Sequence, residues 1–235
     1  MLGGVVLLAA AGWAAAVGLR SGSGALQERT ESETTVLMLL TSLPLMFPER
    51  FGLENAGSPA LTALQTRYLV KPIAVADAAN LKQGKMLFMA HALAQPAEAL
   101  VDLDRWVRAG GHVVLLADPL LEWESERPLG DALRPAPMFP DTGLLQRWGL
   151  RLDAPDQRGV MERRIEGVTI LAPSPGTLTG GGCQIQADGF VAECRIGQGR
   201  ASIIADADLL SAELIASRPQ QAEALLRLLD KSEPR

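Results

Sequence analysis

The sequence predicts an α/β domain with a central parallel sheet, helices on both faces and one small antiparallel hairpin, preceded by an N-terminal transmembrane helix. Three observations carry that expectation. Short apolar runs ("TVLMLLTSL", "KMLFMAHA", "HVVLLADP", "GRASIIADADLL") alternate with segments of helical spacing, as in parallel sheets whose strands are buried on both faces. Asp188-Gly189 sits midway between two stretches of alternating character, the strongest short-range hairpin signal. Residues 2–19 carry no charge, which is long enough to span a bilayer.

In chain order, 1–19 reads as a single-span anchor. A cleaved secretory signal is the alternative, but the segment lacks a basic leader and its apolar stretch is longer than usual for one; a buried helix is the third. Arg20 and Arg29 are interspersed with Glu28, Glu31 and Glu33, so charge fixes no orientation. Residues 20–33 are small, polar and charged and read as a flexible linker. One α/β domain is expected over 34–235. After its first strand, Ser58-Pro59 opens a helix as N-cap and first helical residue. A short strand around "LVKPIAV" and a buried run lead to "QPAEALVDLDRWVRAGG". That helix is opened by Pro96, lined by Leu100, Leu103 and Val107, and closed by Gly110-Gly111. The strand "HVVLLADP" follows, then a long loop, a short helix in "PDTGLLQRWGL" with Trp148 in the core, smaller strands, the hairpin, a last central strand and a terminal helix.

Counting outward from Asp188-Gly189 places Cys183 opposite Cys194, with Ile185 and Ala192 on the same face. Directly opposed residues lie within disulfide reach. A disulfide and a pair of reduced, buried cysteines both fit; a disulfide would imply an oxidising compartment. Two cysteines at this spacing make no zinc site.

Hydrophobic residues make up 48%, charged residues 21% and aromatic residues 4%, with a net charge of −5. No basic stripe and few stacking rings point to nucleic acid. The sequence names no cofactor.

"AHALAQPAEALVDLDRWVRAGGHVVLLADP" resembles the segment shared by class I glutamine-amidotransferase-like domains. More closely it is similar to the extracytoplasmic domain of the gliding-motility-type ABC transporter auxiliary (GldG-like) family. "GQGRASIIADADLL" resembles that family's late strand. The resemblance spans about 34–215. It implies a flavodoxin-like, amidotransferase-like three-layer sandwich and a non-catalytic auxiliary role beside an ABC permease and ATPase. It also implies a periplasmic domain tethered singly to the bacterial inner membrane. The amidotransferase nucleophile is missing: both cysteines belong to the hairpin, and Pro119 after Asp118 lacks the N–H an oxyanion hole would use.

Asp118 ends a central strand. It either caps that strand end or joins Asp206 and Asp208 as a carboxylate group able to bind Mg²⁺ or Ca²⁺, or to face a ligand or partner. The following loop is longer than 20 residues and holds Pro128, Pro135, Pro137 and Pro140. Loops of that length are functional or disordered, and Trp123, Leu129, Leu133, Met138 and Phe139 argue for order. It reads as a lid or docking surface, or as a structural flap. Arg127 and Arg134 suit an acidic group unless they pair with Glu124, Glu126 or Asp131. Three functions follow: the auxiliary subunit; a small-molecule or carbohydrate binder using Asp118, Trp123 and Arg127; and a hydrolase using His91 with Ser42 or Ser125 and Asp118 or Asp206. His112 begins a strand and is expected at the opposite end from His91.

Overall fold

The computed structural model describes residues 34–47, 49, 57–186 and 188–234. Five parallel strands form its middle: β1 (Thr35–Thr41), β2 (Tyr68–Pro72), β3 (Met86–Ala90), β4 (His112–Leu116) and β11 (Gly199–Ile204), in the order β2-β1-β3-β4-β11. Their apolar runs have the cause the sequence suggests. β3 and β4 are buried at every position, and each fully buried Leu or Met contributes about 1.5–3 kcal/mol. Pro72 is tolerated because β2 is an edge strand.

The helices fall into two groups. α1 (Pro59–Gln65), α5 (Ala212–Ser217) and α6 (Gln220–Ser232) pack on one another, while α2 (Ala78–Leu81) packs on α3 (Ala97–Arg108). A chain that steps from β1 outward to β2, then back past β1 to β3 and β4, places its crossover helices on opposite faces when every crossover is right-handed. Ser58 caps α1 by accepting from the Leu61 amide, with Pro59 in the first turn. Leu103 and Val107 of α3 are fully buried, and Gly110 follows the helix at φ +108, where a side chain would be strained.

The expected fold class needs correction. The main sheet is mixed. β10 (Val191–Ile196) runs antiparallel to β11 over six paired positions, and β9 (Gln184–Ile185) runs antiparallel to β10, making seven strands. A tight turn at Gly197, φ +62, returns β10 directly onto β11, so the hairpin forms an antiparallel edge of the main sheet. Gly199 makes this close return possible, because a Cβ there would meet the Val107 carbonyl at 2.1 Å. Residues 144–180 add α4 (Leu144–Arg147) and two further two-stranded sheets. One pairs β5 (Leu150–Asp153) with β8 (Thr177–Gly180), the other β6 (Val160–Ile165) with β7 (Val168–Pro173). This is not the clean three-layer sandwich the resemblance implied.

Two buried polar groups fasten the added layers. Asp104 of α3 accepts from Arg108 at 2.9 Å, Arg147 at 3.3 Å and the Trp148 indole at 3.1 Å. Gln221 of α6 donates to the Leu171 carbonyl at 2.9 Å and accepts from the Leu171 amide at 2.8 Å, acting as an extra strand residue beside β7.

Cys183 and Cys194 are disulfide-bonded, with Cα atoms 4.4 Å apart. β9 and β10 pair Ile185 with Ala192 and Gln184 with Glu193. The turn is closed by the Gly189 amide on the Gln186 carbonyl, and Gln186 pairs with Val191, so the loop is longer than two residues.

Among the described residues no helix is long and apolar enough to cross a membrane. The single-pass anchoring and the periplasmic, inner-membrane placement that rested on it are therefore not supported. The expected span, 1–19, and linker, 20–33, lie outside the described residues.

Candidate functional site at the strand ends

The carboxyl ends of the parallel strands carry the long proline-rich segment 118–143, here called the strap. Asp118 begins it. The carboxylate is fully buried and accepts from the Leu120 amide through Oδ1 and from the Ala207 amide through Oδ2, both at 2.8 Å. Its carbonyl accepts from the Phe139 amide at 2.6 Å, which closes the strap back on its own start. Asp118 is a strand-end cap.

Asp206 and Asp208 stand beside it, at the end of β11 and in a 3-10 turn over Asp208–Leu210. Asp206 Oδ1 accepts from the Leu209 amide at 2.8 Å, while its buried Oδ2 has no hydrogen-bond partner. Asp208 accepts from the Glu122 amide at 2.7 Å. Burial pushes all three pKa values up. It raises Asp118 against its backbone donors, raises Asp206 further with the Asp118 charge adding to the effect, and brings Asp208 to about 7. The trio meets as the sequence suggested, but it faces inward. Asp118 and Asp208 hold the strap through the Leu120 and Glu122 amides, Asp206 accepts only from Leu209, and among the described residues no His, Cys, Asp and Glu group could hold a metal ion. A neighbouring link runs from the Ser174 hydroxyl to Glu122 at 2.7 Å and from the Gly159 amide to Ser174 at 2.9 Å.

His91 is fully buried at φ +47, directly after β3. Its Nε2 lies 2.8 Å from the Ala136 carbonyl, which requires that nitrogen to carry the proton, and its ring meets Phe139 edge-on. Nδ1 has no partner, and burial lowers the pKa. Ser42 Oγ donates to the His91 main-chain carbonyl, not to the ring, and Ser125 Oγ donates to Glu49 at 2.7 Å. No Ser-His-Asp relay is assembled from these residues. His91 pins the strap. His112, with its ring against the Ser232 carbonyl, begins β4 at the far end of the sheet.

The strap's arginines are engaged internally. Arg134 donates to the carbonyls of Ser125 and Arg127, and Arg127 lies 3.9 Å from Glu49 and 3.8 Å from Asp131. Glu49, in the connection after β1, also accepts from the Glu126 amide at 2.8 Å. Sequence reasoning missed this organiser because its partners lie some 76 positions away. Trp123 is half-buried against the core.

Among the concavities that border the strap, two adjoin each other. An 830 Å³ cleft is lined by Trp123, Glu124, Glu126, Arg134, Ser58 and Pro59, among others. A 330 Å³ groove beside it is lined by Phe47, Leu133, Ser42 and Ile73, among others. Large apolar side chains stand exposed on or beside the strap: Leu129 is 88% accessible, Phe47 77%, Leu133 67% and Met138 59%.

No family model matches the chain, and no curated protein sequence matches it significantly. Solved structures do resemble it. Cytoplasmic protein STM3548 from Salmonella typhimurium is 10% identical with a TM-score of 0.56, covering 86% of this chain and 100% of its own. The mmIFT52 N-terminal domain is 13% identical with a TM-score of 0.52, covering 84% and 96%. The exo-β-1,4-mannosidase from Opitutaceae bacterium strain TAV5 is 12% identical with a TM-score of 0.54, covering 86% of this chain. The chain spans only 37% of that mannosidase and 30% of a similar GH42 β-galactosidase. At these identities the likeness is one of fold alone. It runs to parts of glycosidases and to the IFT52 domain, not to the amidotransferase-like class expected from sequence.

Proposed function

We propose that this chain is a non-catalytic docking domain, working through the strap as an auxiliary subunit of an ABC-type export or gliding-type system. The carrying observation is the placement of Leu129, Leu133, Met138 and Phe47. Four large apolar side chains stand in solvent on or beside a strap anchored at Asp118, His91 and Asp208. Burying them against a partner is favourable at about 25 cal/mol per Å², and a fixed strap loses little entropy on binding. The ABC assignment itself rests on the resemblance in 34–215. The test is purification of the full-length protein in mild detergent with mass spectrometry of its companions. A permease and an ATPase in stoichiometric amounts are expected, lost in the Leu129→Ser, Leu133→Ser, Met138→Ser triple variant. Recovery of the protein alone would overturn the proposal.

A second reading is favoured by the 830 Å³ cleft, whose size suits a small ligand. With Trp123 beside carboxylates, it admits a carbohydrate, the class of molecule on which a mannosidase and a β-galactosidase act by name. Asp118 is buried too deeply to take part. A thermal shift with monosaccharides that Trp123→Ala removes would favour this reading over docking.

A further inference from the structure

We infer that a second site, at the end of the sheet away from the strap, binds a phosphate monoester between Arg195 and Arg200. The site shares no residue with the strap and goes beyond the docking reading. A 460 Å³ cavity there is lined by Gly181, Gln184, Glu193, Arg195, Arg200 and Lys231, together with the disulfide. Arg200 opens β11 beside His112 at the start of β4. Pairing across β9, β10 and β11 sets Gln184, Glu193 and Ser202 in one row and Arg195 directly opposite Arg200 in the next. Positions two apart on a strand share a face, so both rows look the same way. α6 covers the first row: Ser232 Oγ lies 3.3 Å from Ser202 Oγ, and Lys231 Nζ lies 3.4 Å from Glu193. The arginine row stands clear in solvent.

Like charges directly opposite on paired strands repel, and the fold supplies no relief. Among the described residues neither guanidinium has a hydrogen-bond or ion-pair partner. Glu193, the carboxylate that lines the cavity, is engaged by Ser202 Oγ at 2.8 Å and by Lys231, which also holds Glu166 at 2.6 Å. Two guanidinium charges with Cβ atoms about 5 Å apart therefore wait for an anion. Each presents a planar fork that fits two oxygens of a tetrahedral group, and two opposed forks grip one such group from both sides. A phosphate monoester carries about −1.5 to −2 charge at neutral pH and matches both cations, whereas a carboxylate or a phosphodiester carries a single charge. Gln184 adds an amide donor. Gly181 is exposed, a Cβ there would meet nothing within 4 Å, and its φ is not left-handed. Neither packing nor backbone geometry calls for glycine at that position, but its bare main chain lets an oxyanion approach closely. The cavity is larger than a phosphate and falls within the range of small-ligand sites, which leaves room for the alcohol part of the ester.

The test is titration calorimetry of the full-length protein in mild detergent and phosphate-free buffer, with glycerol 3-phosphate as probe. A Kd of about 1 mM or tighter is expected. Methyl sulfate, of the same shape but one charge, should bind at least about tenfold more weakly. Arg195→Gln and Arg200→Gln should each weaken glycerol 3-phosphate about tenfold, as expected for a lost hydrogen bond to a charged group. Their thermal midpoints without ligand should hold or rise, because the cross-strand repulsion is removed. That second readout separates a binding role from a structural one. Dihexanoyl phosphatidic acid distinguishes the source of the group. Affinity matching that of glycerol 3-phosphate assigns a soluble monoester, and affinity more than about tenfold tighter assigns a lipid headgroup. The inference is overturned by no binding of glycerol 3-phosphate at about 10 mM, by equal binding of methyl sulfate, or by binding indifferent to both arginines. A lowered midpoint in either variant would also overturn it, by giving the arginine a structural role. The Leu129→Ser, Leu133→Ser, Met138→Ser variant should bind the probe as the parent does, so this site and the docking role stand or fall separately.

Discussion

Asp104 shows how one carboxylate fixes a packing geometry. It is nearly buried and joins α3 to α4 through Arg108, Arg147 and the Trp148 indole. Burial alone would raise its pKa, but the hydrogen bonds from Arg108 and Trp148 and the two arginine charges outweigh it, and the pKa is lowered. Its stabilising contribution is therefore present above the ordinary carboxylate range and lost as pH falls through the lowered value. Asp104→Ala leaves the buried indole N–H without its acceptor and should destabilise the fold by about 2–3 kcal/mol, since hydrogen bonds to charged groups are the stronger kind. Urea unfolding at neutral pH checks this; a loss under half a kilocalorie would show water replacing the carboxylate. In the sequence "ALVDLDRW" marks a helix, but Asp104 there reads as one more solvated charge. Only the packing of Trp148 onto α3 gives it a role.

At the scale of elements, the strap decides what the strand ends present. Its length and prolines were legible in the sequence, as was the aromatic and aliphatic content that argued for order. Its direction was not. Asp118, Asp206 and Asp208 were expected at one edge and are found there, yet they face inward. Each sits where a strand or turn leaves backbone N–H groups without ladder partners, and a buried donor left unmet costs about 1–3 kcal/mol. The Ala136 contact of His91 could not be foreseen, because it joins positions 45 apart through a main-chain carbonyl that any residue supplies. His91→Ala removes that pin, leaves the ring's space empty and keeps a non-glycine residue at φ +47. It should cost about 2–3 kcal/mol and, in limited proteolysis, open cleavage within 120–140 before the remaining domain is cut. A strap that stays protected in the variant would transfer the anchoring role to Asp118 and Asp208.

For the whole molecule, the cluster under the strap sets the pH dependence of stability. Asp118, Asp206 and Asp208 all have folded-state values raised by burial. A carboxyl raised in this way keeps its proton in the folded chain where the unfolded chain has lost it, so stability falls as pH rises through that window. For Asp208 the window runs from its ordinary 3.8 to about 7. Stability should thus increase from pH 8 to pH 5, by an amount on the order of a few kcal/mol, and Asp208→Asn should flatten part of the slope while retaining an oxygen for the Glu122 amide. Denaturant midpoints across that range test it. A slope of the opposite sign, or one unchanged in the variant, would refute the buried-carboxylate account.

The sequence by itself determined the parallel strands, the helices from Ser58 and Pro96, and the facing of Cys183 and Cys194. Each of these follows from local periodicity or from a turn a few residues away. The tertiary structure decided the rest: that the hairpin joins the main sheet, that 144–180 builds two small sheets of its own, and that the arginines of the strap turn inward. Those outcomes depend on contacts between distant segments, such as Glu49 with Ser125 and Gln221 with Leu171. No periodicity records such contacts. They form because a buried backbone or charged group must find a partner wherever the fold supplies one.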